Sequence, residues 1–591
     1  MLAIALGSFG LAAQTTPLGT ISFPTSGTPK AQPSFIRGVL WLHSFAYEDA
    51  IDAFREAQKI DPSFAMAYWG EAMCFSQPLW FHEDVAQGRA ALAKLAITPE
   101  QRARTVKTPR EQAYLRAVET LYGPGDREQR YRAYAERMGE LAAKFPQDDE
   151  AKAFHALALL AILPRGDQAL PLRQKAGALA QEVFTRNPKH PGAAHYVLHA
   201  YDHSALAPKA LAAARAYAAI APAASHALHM PAHAFVQLGL WDEAAKTDEA
   251  SWKASIDWAA RKGLSVAMRD YHSLTWLQYE WTQQGRFERA AAAITYADEA
   301  MKIVKEHDTA GGHHYADSEI GRGSGPMALR NDRGSMRARY VIESERWHEM
   351  KGQTTFDNID ELFALGMSAV KLGDLTRAKA AVDLFGKAAG PGQDAGLREQ
   401  ASVMVEELRA LLAFAEGHQI EAFAAMDRAT SLQARMPKPI GRPYPVKGAD
   451  ELYGELLLAV GRPKEAAMWF ERTLARTPNR SRAVLGLARA AAKAGDRAKS
   501  RAAYQQFLAN WQRADAGLPE LHEAKSNIVD AHAPRVEVHV EPARPDRRIG
   551  GLDDDVVGAG TRGNPAIFPE RPRSMRTGRG TEIERFQLVG R

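Results

Sequence analysis

Between residues 35 and 526, apolar residues recur at i, i+3, i+4 and i+7 through segments of helical length, with Gly or Pro at the breaks and almost no alternating β-branched runs. The predicted fold is all-α. A finer pattern repeats within it: a small residue, a large apolar one four later, a small one three after that, and Pro five further on. Ala50, Phe54, Ala57 and Pro62 carry it in AYEDAIDAFREAQKIDP, and Ala466, Phe470, Thr473 and Pro478 carry it in PKEAAMWFERTLARTP. Ala210, Ala214, Tyr217 and Pro222 give a third copy. Small residues let antiparallel helices approach, the large one fills the gap, and Pro cannot continue the helix.

Weaker copies lie in GRFERAAAAITYA, GDLTRAKAAVDLF, GHQIEAFAAMDRA and GDRAKSRAAY. The pattern resembles the tetratricopeptide repeat, whose unit is two helices in about 34 residues. That resemblance implies a right-handed α-solenoid of antiparallel helix pairs, with the first helix of each unit lining the concave groove. Two segments break the rhythm. Residues 307–336 are Gly-rich, and MPKPIGRPYPVKGAD, residues 436–450, is Pro-rich; each reads either as a surface insertion or as a cover. The expected organisation is a signal-like segment at 1–13, a linker at 14–34, an N-terminal array at 35–306, the insertion at 307–336, a C-terminal array at 337–526 and a disordered tail at 527–591.

Composition narrows the function. A length of 591 residues calls for several domain equivalents or an elongated array. A net charge of +5 over that length makes no dedicated nucleic-acid surface. The opening run MLAIALGSFGLAAQ reads as a secretory signal without its positive start, which predicts a periplasmic or extracellular protein, or a cytoplasmic one if the run is no signal. No other stretch is long and apolar enough to span a bilayer, so an integral membrane protein is not expected. The single cysteine, Cys74, excludes an internal disulfide and any CxxC site, so a metal would need His and carboxylate ligands.

The 19 histidines therefore carry the candidate chemistry. His195 and His199 are four apart, as are His229 and His233, and each member of the first pair lies 34 residues before its counterpart in the second. Each pair shares one helical face. The small-residue register puts both pairs on first helices, which pack about 8–10 Å apart. Four imidazoles from neighbouring helices form a candidate transition-metal site, for Zn, Cu, Ni or Fe. Asp202 extends the first stripe as a further ligand or an orienting partner, and His226 begins the second stripe. Pro231 interrupts HMPAH and can start or kink the helix there; if the helix begins at Met230, His226 and His229 approach the groove from a loop. A purely structural role for these histidines stands as the alternative.

His272, Tyr279 and Trp69 fall at groove positions of their units and are candidates for ligand binding, while Met66 and Met73 read as core. HExxH is absent, as are usable phosphate-loop, dinucleotide, hydrolase-elbow and calcium motifs. The segments AHYVLHAYD and HALHMPAH also resemble a histidine-rich group of uncharacterised exported bacterial tetratricopeptide proteins. This chain departs from that group in KGADELYGE, where a His is expected before the Glu. Two readings follow: an exported repeat protein that binds a transition metal through its paired HxxxH motifs, with metal-dependent catalysis open, or a non-enzymatic scaffold. In either, a peptide, protein or small molecule occupies the concave groove.

Overall fold

The computed structural model describes residues 17–529 apart from 81, 165, 305–325 and 389–394. The signal-like run, residues 307–325 of the Gly-rich insertion, and all of the expected tail except 527–529 lie outside the described residues. Among the described residues there are 25 α-helices packed as sequential pairs, in a tetratricopeptide-like arrangement. A two-residue ladder pairs Ser76–Gln77 with His82–Glu83. No described helix is long and apolar enough to cross a membrane.

The small–large pattern has a direct packing cause. Phe54, on the helix Tyr47–Ile60, is fully buried between Gly38 of Gln32–His43 and Gly70 of Ala65–Cys74. A Cβ on either glycine would stand 2.6 or 2.3 Å from its ring. Phe470, on Pro463–Arg476, repeats the arrangement against Gly454 and Gly486. Overpacking by one methyl in such a joint costs about 1–3 kcal/mol. Each joint is thus set by one aromatic and two missing side chains.

First helices commonly stop on a left-handed glycine such as Gly239 (φ 68°) or Gly285 (φ 69°). Phe45 takes that place after Gln32–His43 with φ 56°. The cap is complete, since Phe45 N donates to Leu42 O and Ala46 N to Trp41 O, both at 3.1 Å. A side chain in this backbone region costs about 1–3 kcal/mol.

Three segments take a defined place in the fold. Residues 17–30 are an ordered strap rather than a loose linker: Phe23 is buried against Phe35, Trp69 and Tyr114, and Thr20 N donates to Lys189 O at 2.9 Å. One aromatic anchor in a Pro/Gly-rich stretch leaves no periodicity to read. Residues 326–336 of the expected insertion are helical, as part of Pro326–Ser344. The Pro-rich strap is tied down, with Arg339 donating to Pro443 O at 3.0 Å and Gly441 against the Trp276 ring.

Two apolar cores meet within the array. One runs from Phe23 to Ala244 and takes in Trp276 and Tyr279; the other runs from Ala245 to Ala524. The chain also returns on itself. Asn479 Nδ2 donates to Gly239 O at 2.8 Å, Trp241 Nε1 to Asn479 O at 2.9 Å, and Ser481 N to Gln283 Oε1 at 2.9 Å. Beside this joint, the buried Arg480 binds Glu451 at 2.5 Å and Glu343 at 2.6 Å. Lys447, in the segment where a ligand His was expected, instead pairs with Glu451 at 2.7 Å.

Candidate metal centre

Six histidines come from the first helices of three consecutive pairs. His195 and His199 stand on Pro191–Ala200, His226, His229 and His233 on Ser225–Leu238, and His272 on Tyr271–Gln283. Pro231 neither starts nor ends its helix, which begins six residues earlier and continues for seven more. His226 and His229 are therefore helical, and the loop alternative does not arise. As the seventh residue, Pro231 lies past the four free N–H groups of the helix start and removes one i→i−4 donor without ending the helix.

The structure sorts these residues into two neighbouring triads rather than one four-nitrogen site. His195, His199 and His226 offer ligand atoms all within 4.8 Å of one another, and so do His229, His233 and His272. Each triad combines an HxxxH pair with a first-turn histidine of the next first helix. His226 Nε2 lies 3.0 Å from His195 Nε2, and the His272 ring centres 4.8 Å from that of His229. The two pairs do not merge because each meets the start of the following helix before it meets the other pair.

Hydrogen bonding fixes which nitrogens are free. His195 Nδ1 donates to the carbonyl of His43 at 2.6 Å, so its lone pair is at Nε2. His199 Nε2 is buried with no hydrogen-bond partner. His229 Nδ1 lies 2.7 Å from Asp248 Oδ1, and His233 Nδ1 lies 2.9 Å from Asp202 Oδ2. Both carboxylates act as orienting groups of the kind that fix ligand tautomers. Their effect is to turn the two Nε2 atoms toward each other at 3.1 Å. Asp202 is thus placed to orient the His233 ring; its other oxygen accepts from Gln237 at 2.6 Å.

Burial keeps His195, His199, His226 and His229 neutral. It pushes His195 down to about 3, with only partial compensation from the His43 carbonyl. It pushes His199, His226 and His229 well down too, and the charges of neighbouring histidines add to the shift. Neutral imidazoles are the ligand-competent form. Behind His229, burial raises both Asp248 and Glu280; Glu280 opposes ionisation of Asp248, while the hydrogen bond from Asp248 offsets part of the rise of Glu280, so the pair retains a proton. Arg442 of the Pro-rich strap supplies a positive charge near His229, Asp248 and Glu280.

Aromatic walls enclose both triads. The Phe45 ring meets His195 edge-on at 4.3 Å and stacks on His226 at 5.6 Å, while Trp80 and Tyr217 face His226 and His195. Trp276 stacks on His233 at 4.4 Å and meets His229 at 5.1 Å. The left-handed turn at Phe45 is what places its ring between the imidazoles.

The remaining groove candidates change role. Trp69 is 1% exposed and packs on Phe23, Tyr114 and Phe154, so it belongs to the core with Met66 and Met73. Every residue of its helix is buried, which erases the polar face that would have shown its direction. Tyr279 is also buried, under Arg339 and edge-on to Trp241, and lines a small pocket beside the strap. His272 moves from groove candidate into the second triad.

A third buried cluster was not foreseen. His43 Nε2 lies 2.7 Å from Glu150, His43 Nδ1 2.9 Å from the Tyr196 hydroxyl, and His190 Nε2 3.2 Å from Glu150. His190 Nδ1 also caps its helix by accepting from Ala193 N. Although burial opposes its charge, Glu150 is held down to about 2 by His43 and His190. Both His43 nitrogens are taken up by these partners, while His190 Nε2 faces Glu150 without a hydrogen bond, and the cluster anchors the His43 carbonyl behind His195. Gly192 permits it, because a Cβ there would stand 2.2 Å from His43 Nδ1. A charged residue inside the apolar helix Asp149–Leu160 is not what exposes it in the sequence, since Glu150 sits in an ordinary first-turn position.

No family model matches the chain, and no curated protein matches it. Among solved structures, Cut9–Hcn1 of the APC/C hetero-tetramer is similar at 12% identity and TM-score 0.27, over 87% of this chain and 79% of that one. A monomeric IFIT1 mutant with Gppp-AAAA gives 12% and 0.32, over 81% of this chain and 99% of that one. Yeast Tom70 gives 13% and 0.27, over 85% and 96%.

Proposed function

We propose that this chain is an exported tetratricopeptide-like protein, akin to the histidine-rich bacterial group its motifs resemble, that holds a transition metal in its histidine cluster. The observation that carries this reading is the His229–His233 pair. Two imidazoles whose Nδ1 atoms face carboxylates direct their Nε2 atoms at each other, 3.1 Å apart. Two lone pairs at that distance repel unless an electrophile lies between them. A proton on one Nε2, held in a neutral N–H···N hydrogen bond, is the competing occupant, and a bound metal takes its place.

Two nitrogens bound to one ion at ~2.0–2.1 Å stand ~2.8–3.4 Å apart for angles between octahedral and tetrahedral. The observed spacing fits that span. Imidazole donors suit Zn, Cu, Ni or Fe. Three protein ligands leave a coordination position for a small ligand, which keeps metal-dependent catalysis within reach of this architecture. His272, the exposed member, gives a small molecule or peptide end a route to the second triad.

Elemental analysis of untagged protein tests the proposal. The expected result is a stoichiometric transition metal in the wild type that is lost in a His195→Ala/His229→Ala double variant. Metal-free protein from every preparation and after incubation with each candidate ion would leave only a repeat scaffold for a peptide or protein partner.

A further inference from the structure

Each triad has its own wall, its own orienting groups and its own closely spaced nitrogens. His195 and His226 present Nε2 atoms at 3.0 Å under Phe45, and His229 and His233 present theirs at 3.1 Å under Trp276. Within a triad all three ligand atoms lie within 4.8 Å, while the six together do not form one such group. Nitrogens sharing an ion at ~2.0–2.1 Å can be at most ~4.2 Å apart, even on opposite sides of it. One ion therefore cannot be bound by all six histidines.

The triads are nevertheless adjacent. His226 and His229 stand three residues apart on one helix, with ring centres 6.4 Å apart, and they belong to different triads. Resting on the metal reading above, we infer that the cluster is a two-ion centre, with one imidazole-bound transition ion on His195, His199 and His226 and a second on His229, His233 and His272. The pattern is built by repetition: a pair on one first helix and a single histidine from the next, used twice along the array. Neighbouring ions in such a centre can bind the two ends of one small ligand.

The test loads chelator-stripped, full-length protein with excess Zn²⁺ or Cu²⁺, removes free ion by gel filtration, and counts bound metal. Two equivalents are expected in the wild type, and one each in His195→Asn/His199→Asn and in His272→Ala. The exposed position of His272 makes the last variant the least disruptive. One equivalent in the wild type that disappears in either variant would overturn the two-ion centre while leaving metal binding intact. No metal at all would remove the underlying metal reading instead. Where a variant fails to fold, anomalous scattering from metal-loaded wild-type crystals decides: two peaks, one at each triad, against a single peak.

Discussion

Replacing Asp202 by Asn separates an orienting carboxylate from a ligand. Asp202 Oδ2 faces His233 Nδ1 at 2.9 Å, and its Oδ1 accepts from Gln237 at 2.6 Å. Asparagine keeps the shape but has one acceptor oxygen for two donors, so one partner is left facing an NH2 group. If Gln237 keeps the oxygen, the His233 ring loses the partner that fixes its tautomer. Orienting partners of this kind are worth about 10–100-fold in metal affinity, or ~1.4–2.7 kcal/mol. The assay is a competition titration of stripped protein against a chromophoric chelator at pH 7, comparing wild type, Asp202→Asn and His233→Ala. The expected order is a 10–100-fold weakening of second-triad binding in Asp202→Asn and a larger loss in His233→Ala. Wild-type affinity in Asp202→Asn would refute the orienting role, and a loss equal to that of His233→Ala would make Asp202 a ligand.

Trp69→Ala should cost about 3–5 kcal/mol of stability in urea titrations, because a fully buried indole leaves a cavity, while metal stoichiometry stays that of the wild type. Arg480→Ala should cost about 3–5 kcal/mol in the same experiment, since it leaves Glu343 and Glu451 buried without their cation. Burial holds His155 down to about 4 in the folded chain against about 6.5 unfolded, so its contribution is fully present above pH 6.5 and is lost as the pH falls toward 4. Urea midpoints at pH 7 and pH 4.5 should differ less in His155→Gln than in the wild type; an equal difference would contradict the assignment. Gly192→Ala should destabilise by about 1–3 kcal/mol, because its methyl would overlap His43.

Much of this was legible in the sequence, and what was missed has physical causes. The repeat register put both HxxxH pairs on first helices, because packing residues are forced to recur at fixed intervals. His272 was harder to assign. The long helix Trp241–Lys262 and the turn Val266–Met268 push it out of the 34-residue interval, so its place in a triad depends on how far that detour carries the chain. Asp248 stands on that same second helix, whose register says nothing about which groove histidine it will meet. The division into two triads followed from first-turn histidines reaching back to the preceding helix, a lateral contact that spacing along one helix does not encode.

The joint at Asn479 changes what kind of object the array is. An open stack of repeats can peel from either end, each unit depending only on its neighbours. Here residues 479–481 are riveted to residues 239–283, so the last repeats cannot fray singly without breaking a long-range lock. Melting should be concerted rather than stepwise, and trimming the chain before residue 479 should loosen the helices that carry the histidines, although the cut lies more than two hundred residues downstream of them.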